Sequence, residues 1–200
     1  YWLQDVYPEL AVTFGVARDG SPLVRAFEAL SRATLRRSDA IVTLGAAMAE
    51  RIVRKGVEPG RVHVVPNWAD GATIQPVPED ANGFRRRNGM VGKSVVLYSG
   101  NMGRGHDMET LLGAARALRD RPDVVFAFIG EGAKRPVVEA AARELPSIRL
   151  FPYQPREALS ESLSAGDVHV VTQDAAPLGL IEPSKLYGVM AAGRPDAMTP

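Results

Sequence analysis

From Val95 onward the chain alternates short, unbroken apolar runs with stretches whose apolar positions recur every three or four residues. VVLYSG (95–100) is rich in β-favouring side chains and closes on glycine. Residues 107–119 then place Met108, Leu111, Leu112, Ala115 and Leu118 on one helical face, with Asp107 available as N-cap. VVFAFI and Gly130 (124–130) repeat the strand pattern, and 134–145 repeat the helix. Residues 148–151 predict a third strand, 156–165 a helix and VHVVT (168–172) a fourth strand. Strands that are apolar throughout belong in a parallel sheet covered on both faces. The pattern therefore predicts a doubly wound α/β domain.

The first 65 residues follow the same alternation more loosely: a helix over 22–36, a strand over 39–43, a helix over 45–54 and a strand over 62–65. They read as the last part (1–65) of a first α/β domain. Residues 66–92 are rich in Pro, Gly, Asn and charge, a composition that suits an interdomain linker. Residues 93–200 make the second domain. The chain starts at Tyr1, and no strand is expected after the last helix, so it reads as a fragment of a longer protein whose second domain is truncated at its C-terminus.

Composition narrows the possibilities without pointing to one. The chain has 200 residues, 46% of them hydrophobic and 24% charged, with no cysteine. A disulfide scaffold and a thiolate metal site are excluded, and a reducing compartment fits. With His63, His106 and His169 dispersed, neither a metal nor another cofactor is expected. No apolar run approaches the ~18 residues that span a bilayer and no signal peptide is visible, so a cytoplasmic location is expected. The net charge of +1 is uninformative.

Three loops carry candidate chemistry, each at or after a predicted strand end. SGNMGRG (99–105) brings Gly100, Gly103 and Gly105 in the order G-x-x-G-x-G, which is not the dinucleotide fingerprint G-x-G-x-x-G. FIGEGAK (128–134) offers Gly130, Gly132 and Lys134. LGLIEPSKLYGVMAAGRP (178–195) opens a helix with Ser184 and Lys185 and stops it with Gly-Arg-Pro. Backbone N–H groups freed of Cβ atoms, an ammonium and a hydroxyl suit a phosphate. Taken singly, each loop is equally a tight strand–helix turn, a solvated lysine or a plain N-cap serine. All three fall on one rim of one sheet, and together they predict a nucleotide diphosphate lying along it.

The ordered motifs resemble retaining glycosyltransferases of family 4, with the two-Rossmann-domain GT-B fold. VVPNWAD (64–70) resembles the family's vIPNGvD. The likeness continues through VVLYSGNMGRGHDMETLLGAA, FAFIGEGAK, LFPYQPREALSESLSAGDVHVV and PSKLYGVMAAGRP, in family order and over nearly the whole chain. The PSKLY form resembles the branch that builds bacterial surface polysaccharides, such as colanic acid. The resemblance implies transfer of a sugar from a UDP- or GDP-sugar, with retention, to a glycan or polyprenyl-linked acceptor. It implies a donor site of Gly100, Asn101, Gly103, Arg104, Gly130, Lys134, Glu182, Ser184 and Lys185, with Phe151–Tyr153 near the base or in the core. Catalytic residues stay unassigned, Glu182 and Lys185 being the candidates.

The chain departs from the family pattern in two places. Relatives often have an arginine after the strand-end glycine and a lysine five residues on; Asn101 and His106 stand there, with Arg104 between. Relatives also carry two glutamates eight residues apart, the second of which binds ribose. Leu180 and Gly188 occupy those positions, and the nearby carboxylate is Glu182, which suits either the sugar or a helix N-terminus.

On the helix 22–36, Arg25, Arg32 and Arg36 share a face, which suits either peripheral attachment to an anionic membrane or plain solvation. Arg85–Arg87 reads as a solvated linker patch. No aromatic residues interleave these basic runs, so nucleic-acid binding is not expected. A nucleotide-sugar epimerase and a non-catalytic nucleotide-binding protein share the same architecture and stay as alternatives. The fragment alone is expected to lack transferase activity.

Overall fold

A computed structural model describes residues 1–172 and 176–199. The chain divides into two compact units, one of Tyr1–Asn67 with Asp174–Pro183, the other of Trp68–Gln173 with Ser184–Pro200.

In the first unit the elements are α1 (Glu9–Thr13), α2 (Pro22–Arg37), β1 (Ile41–Thr43), α3 (Ala46–Arg54) and β2 (Val62–Val64). Strands β1 and β2 pair in parallel with Ile41 beside Val62. Ser21 caps α2, its side-chain oxygen accepting from the Val24 amide, and Pro22 starts the helix where a missing N–H costs nothing. The core of this unit is Leu3, Val6, Leu10, Leu35, Ile41, Met48, Ile52 and Val57, joined by Leu180 from the later segment. The Val6 amide donates to the Leu180 carbonyl at 2.9 Å, which ties that segment in.

The second unit holds α4 (Gly83–Arg87), β3 (Ser94–Ser99), α5 (Glu109–Ala117), β4 (Val124–Ile129), α6 (Arg135–Glu144), β5 (Ile148–Phe151), α7 (Leu159–Leu163), β6 (Val168–Thr172), α8 (Lys185–Ala191) and β7 (Asp196–Thr199). The five strands run parallel in the order β5-β4-β3-β6-β7. Strand alternation sends Tyr98, Phe126 and Phe128 to one face, where α5 and α6 cover them with Leu111, Leu112, Ala115 and Val138. It sends Val95, Leu97, Val125, Ala127 and Ile129 to the other face, against Phe84, Met90 and Ala165. All six residues of β4 are buried, as a strand covered on both faces requires.

Three features differ from the sequence expectation. Part of the stretch read as linker is core: Asn82 caps α4, and Phe84 meets Phe151 edge-on at 5.1 Å. Arg85 does not belong to a solvated patch. It is 1% exposed, ion-paired to Glu79 at 2.7 Å and Asp167 at 2.6 Å, and its Nε donates to the Ala165 carbonyl at 2.9 Å. A strand also follows the last helix: β7 pairs along β6, with His169 beside Asp196. Its sequence, DAMT, is too short and too polar at its start to stand out as a strand.

Removing the Arg85 guanidinium strands a buried carbonyl and leaves two carboxylates facing each other. Both acids are half exposed, so the cost falls below that of a fully buried pair. Arg85→Met is expected to destabilise the second unit by about 2–4 kcal/mol in urea unfolding. Arg86→Met, on the exposed face, should stay within about 0.5 kcal/mol of the parent.

Candidate functional site

In an open parallel sheet, ligands bind beyond the carboxyl ends of the strands, where the strand order reverses. Here the reversal lies between β3 and β6. Beyond β3 comes Gly100, beyond β4 Gly130, and Lys185 opens α8 after β6.

Three glycines let these turns close on one another. Gly100 sits at φ +136°, and a Cβ there would come 2.4 Å from Cε of Lys185. Gly130 sits at φ +133°, with the Gly100 carbonyl oxygen 2.1 Å from where its Cβ would stand. Gly132, at φ +143°, has the Met102 carbonyl and the Asn101 amide oxygen each at 2.5 Å from that point. Each missing Cβ is thus replaced by an atom of a neighbouring turn. Gly103 is less crowded, with Asn101 Nδ2 3.2 Å from its absent Cβ. Backbone bonds hold the arrangement: the Gly100 amide to the Ile129 carbonyl at 2.8 Å, Met102 to Glu131 at 2.7 Å and Lys134 to Met102 at 2.9 Å.

Two lysines reach the same loop. Lys134 Nζ donates to the His106 carbonyl at 2.6 Å. Lys185 Nζ lies 3.0 Å from Nε2 of His106 and 5.1 Å above the Tyr98 ring. The other imidazole nitrogen, Nδ1, is 2.6 Å from the Thr172 carbonyl at the end of β6. Tyr98 is buried under this group and its hydroxyl donates to the Asn101 carbonyl at 2.7 Å. Burial pushes the Tyr98 phenol well above its usual range, so the ring stays neutral. Burial acts the other way on Lys185, whose ammonium is pulled down from 10.5 to about 8.

The structure therefore gathers Gly100, Asn101, Gly103, Gly130, Lys134 and Lys185 on one rim. Arg104 and Ser184 lie exposed in the same unit. The Ser184 side chain makes no capping bond to α8, so the plain N-cap alternative is not realised. Glu182 is grouped with the first unit, where its carboxylate lies against Gly45 at the start of α3: a Cβ on Gly45 would come 2.4 Å from Glu182 Oε1. Burial raises the Glu182 carboxyl above the usual range. His106 is the member left out of the donor site that the resemblance implies. The signal was its place, where the resemblance expects a lysine. Among the described residues no group of three or more His, Asp or Glu side chains is placed to hold a metal.

Gly100→Ala should force the Lys185 stem off the turn and strain the backbone at a φ that alanine rarely adopts. Released toward water, Lys185 is expected to titrate above about 8, closer to the ordinary lysine value. The ¹³Cε resonance of Lys185, followed against pH, checks this.

Residues 2–68 match the family model described as a glycosyl transferase 4-like domain. The putative colanic acid biosynthesis glycosyl transferase WcaI of Escherichia coli is 32% identical over 200 residues, which is 96% of this chain and 48% of that protein. The probable glycosyltransferase WbjE of Pseudomonas aeruginosa is 32% identical over 195 residues, covering 96% of this chain and 48% of its own length. Among solved structures, Anabaena HepE in complex with UDP-glucose superposes with a TM-score of 0.73 at 14% identity, covering 99% of this chain and 52% of HepE. WaaG, a glycosyltransferase involved in lipopolysaccharide biosynthesis, gives a TM-score of 0.68 at 18% identity, covering 99% of this chain and 55% of WaaG. The chain spans about half the length of the curated relatives it matches. The chain is thus similar to named glycosyltransferases along nearly all its residues, matches the glycosyl transferase 4-like domain over 2–68 and shares the GT-B fold.

Proposed function

We propose that the protein is a retaining glycosyltransferase of bacterial surface polysaccharide synthesis. It moves a sugar from a UDP- or GDP-sugar to a glycan or polyprenyl-linked acceptor. The observation that carries this reading is the convergence of Lys134 and Lys185 on one loop beside glycines whose missing Cβ atoms let the strand-end turns close on one another at the β3–β6 crevice. A relative named for colanic acid biosynthesis and a neighbour crystallised with UDP-glucose support it.

In this reading the second unit takes the nucleotide sugar and the first faces the acceptor. The diphosphate rests on Gly100, Asn101, Gly103 and Gly130, with Lys134, Lys185, Ser184 and Arg104 around it. The bond that breaks joins the anomeric carbon to a diphosphate oxygen, and negative charge grows on that oxygen. A partly desolvated ammonium meets growing charge better than water does, so Lys185 acts by electrostatic stabilisation of the leaving group. Lys134 is committed to a loop carbonyl and chiefly keeps the loop in place. Glu182, grouped with the first unit, stays the other candidate for catalysis.

The pH dependence follows from the Lys185 shift. Its folded value is lowered to about 8, so the cation needed for an anion is lost as pH rises through that value. A bound diphosphate favours the charged form, so binding takes up a proton. UDP affinity of the intact protein is expected to weaken from pH 7 to pH 9. Lys185→Met should cost roughly 10–100-fold at pH 7, the worth of a lost charge-assisted bond. Calorimetry with UDP and GDP checks both, and product analysis with donor alone separates transfer from epimerisation. Binding of neither nucleotide, or conversion of the donor sugar without acceptor, sinks the proposal.

The acceptor side of the proposal includes peripheral attachment to the membrane. Helix α2 exposes Leu23, Phe27 and Leu30 on one face and Arg25, Arg32 and Arg36 on the opposite one, an apolar and a basic face on a single helix. Arg32 is partly neutralised by Glu28 at 2.6 Å. No helix among the described residues is long and apolar enough to cross a membrane. Co-sedimentation with phosphatidylglycerol vesicles should drop severalfold on Phe27→Ser with Leu30→Ser, and unchanged sedimentation removes this part.

A further inference from the structure

The His106 imidazole has a proton arrangement that its neighbours dictate. A carbonyl oxygen only accepts, so Nδ1, 2.6 Å from the Thr172 carbonyl, carries the proton. In the neutral ring Nε2 then has a lone pair, and it is this atom that lies 3.0 Å from Lys185 Nζ. A doubly protonated imidazole would have no acceptor for Lys185 and would set two cations side by side. Lys134 Nζ lies 2.6 Å from the carbonyl of the same residue and donates to it. Among the described residues, titratable groups near the cluster include Tyr98, Tyr153 and Asp107, with Glu131 and Arg104 on the same loops. Tyr98 is kept neutral by burial and stands edge-on to the imidazole at 6.2 Å. Tyr153 borders Gly130. Asp107 is occupied with Thr110, whose amide and hydroxyl both donate to it. Among the described residues no carboxylate pairs with Lys185.

The Lys185 ammonium is therefore held by three things: the Gly100 turn under its stem, the Tyr98 ring under its head and the His106 lone pair at its tip. We propose that His106 is a positioning residue: through Nε2 it fixes the Lys185 ammonium at the β3–β6 crevice and keeps it protonated there against burial. What the ammonium then binds rests on the donor reading above. The neutral imidazole does what a carboxylate would do for a buried lysine without cancelling the positive charge that an anionic ligand needs.

Two substitutions separate this role from a structural one. In His106→Asn the side-chain amide takes the place of Nδ1 and still donates to the Thr172 carbonyl, but nothing reaches Lys185. In His106→Gln the amide oxygen extends to the Nε2 position and still accepts. The chain has four lysines, so the ¹³Cε resonance of Lys185 is assignable by its loss in Lys185→Met. Without nucleotide, His106→Asn is expected to raise the Lys185 acid dissociation constant roughly tenfold, the worth of one charge-assisted bond. His106→Gln should stay within about threefold of the parent. UDP affinity should fall about fivefold in His106→Asn at pH 8 and less than about twofold at pH 6.5, where Lys185 is protonated in both. Identical Lys185 titration in the parent and His106→Asn overturns the inference. So does a His106→Gln shift as large as that of His106→Asn, or an affinity loss equal at the two pH values. If the parent binds neither UDP nor GDP, the donor reading falls, while the nucleotide-free titration still decides the role of His106.

Discussion

The second unit depends on how closely its strand-end turns approach one another. The Gly100 carbonyl occupies the space of a Cβ on Gly130, the Met102 carbonyl that of a Cβ on Gly132, and the Lys185 stem that of a Cβ on Gly100. All three glycines sit at positive φ, so any other residue meets both a clash and a backbone it rarely adopts. The consequence reaches beyond local geometry. Because Lys185 crosses the turn so low, its head is withdrawn from water and laid over Tyr98, and this lowers its affinity for the proton. One steric constraint thus sets where the cation stands and how firmly it stays charged.

The elements legible in the sequence were those whose burial is two-sided or strongly periodic. Strand β4 reads as a strand because all six of its side chains must be apolar, and α5 reads as a helix because Leu111, Leu112 and Ala115 return to one face. What escaped were short elements whose role is written elsewhere in the chain. GFRRR carries no sign that Arg85 turns inward, because the acids that neutralise it are Glu79 and Asp167, the second far along the chain. Strand β7 is short and begins with a charge, so only its pairing along β6 reveals it.

The rim followed the same division. Glycine and lysine at three strand ends of one predicted sheet are visible in the sequence, and the structure brings Gly100, Gly130, Lys134 and Lys185 to one rim. The pairing of Lys185 with His106 was not, since the two residues lie on different loops that only the sheet brings together. That Glu182 groups with the first unit was not legible, for a related cause. The chain leaves the first unit between Pro183 and Ser184, and no shift in composition marks the point. Leu180 is buried with Leu3, Val6 and Leu10, which commits the residues beside it to that unit.

Gly188 shows why the acid expected by resemblance is not simply missing for want of room. A Cβ there would meet Leu163 Cδ1 at 3.5 Å, an ordinary contact, in a helix where alanine is favoured over glycine by about 0.5–1 kcal/mol. A carboxylate at that position would stand three residues beyond Lys185 in α8, on the same helix face, within reach of an ion pair. Such a pair would hold the lysine charged, but it would also spend much of the positive charge that a diphosphate has to meet. With glycine at 188 and the imidazole of His106 at Lys185, the ammonium keeps a hydrogen-bond acceptor and, among the described residues, pairs with no carboxylate. On the donor reading proposed above, the departures at Gly188 and His106 would be two halves of one electrostatic arrangement, one that gives up a side chain for a sugar hydroxyl and leaves a cation for the phosphates.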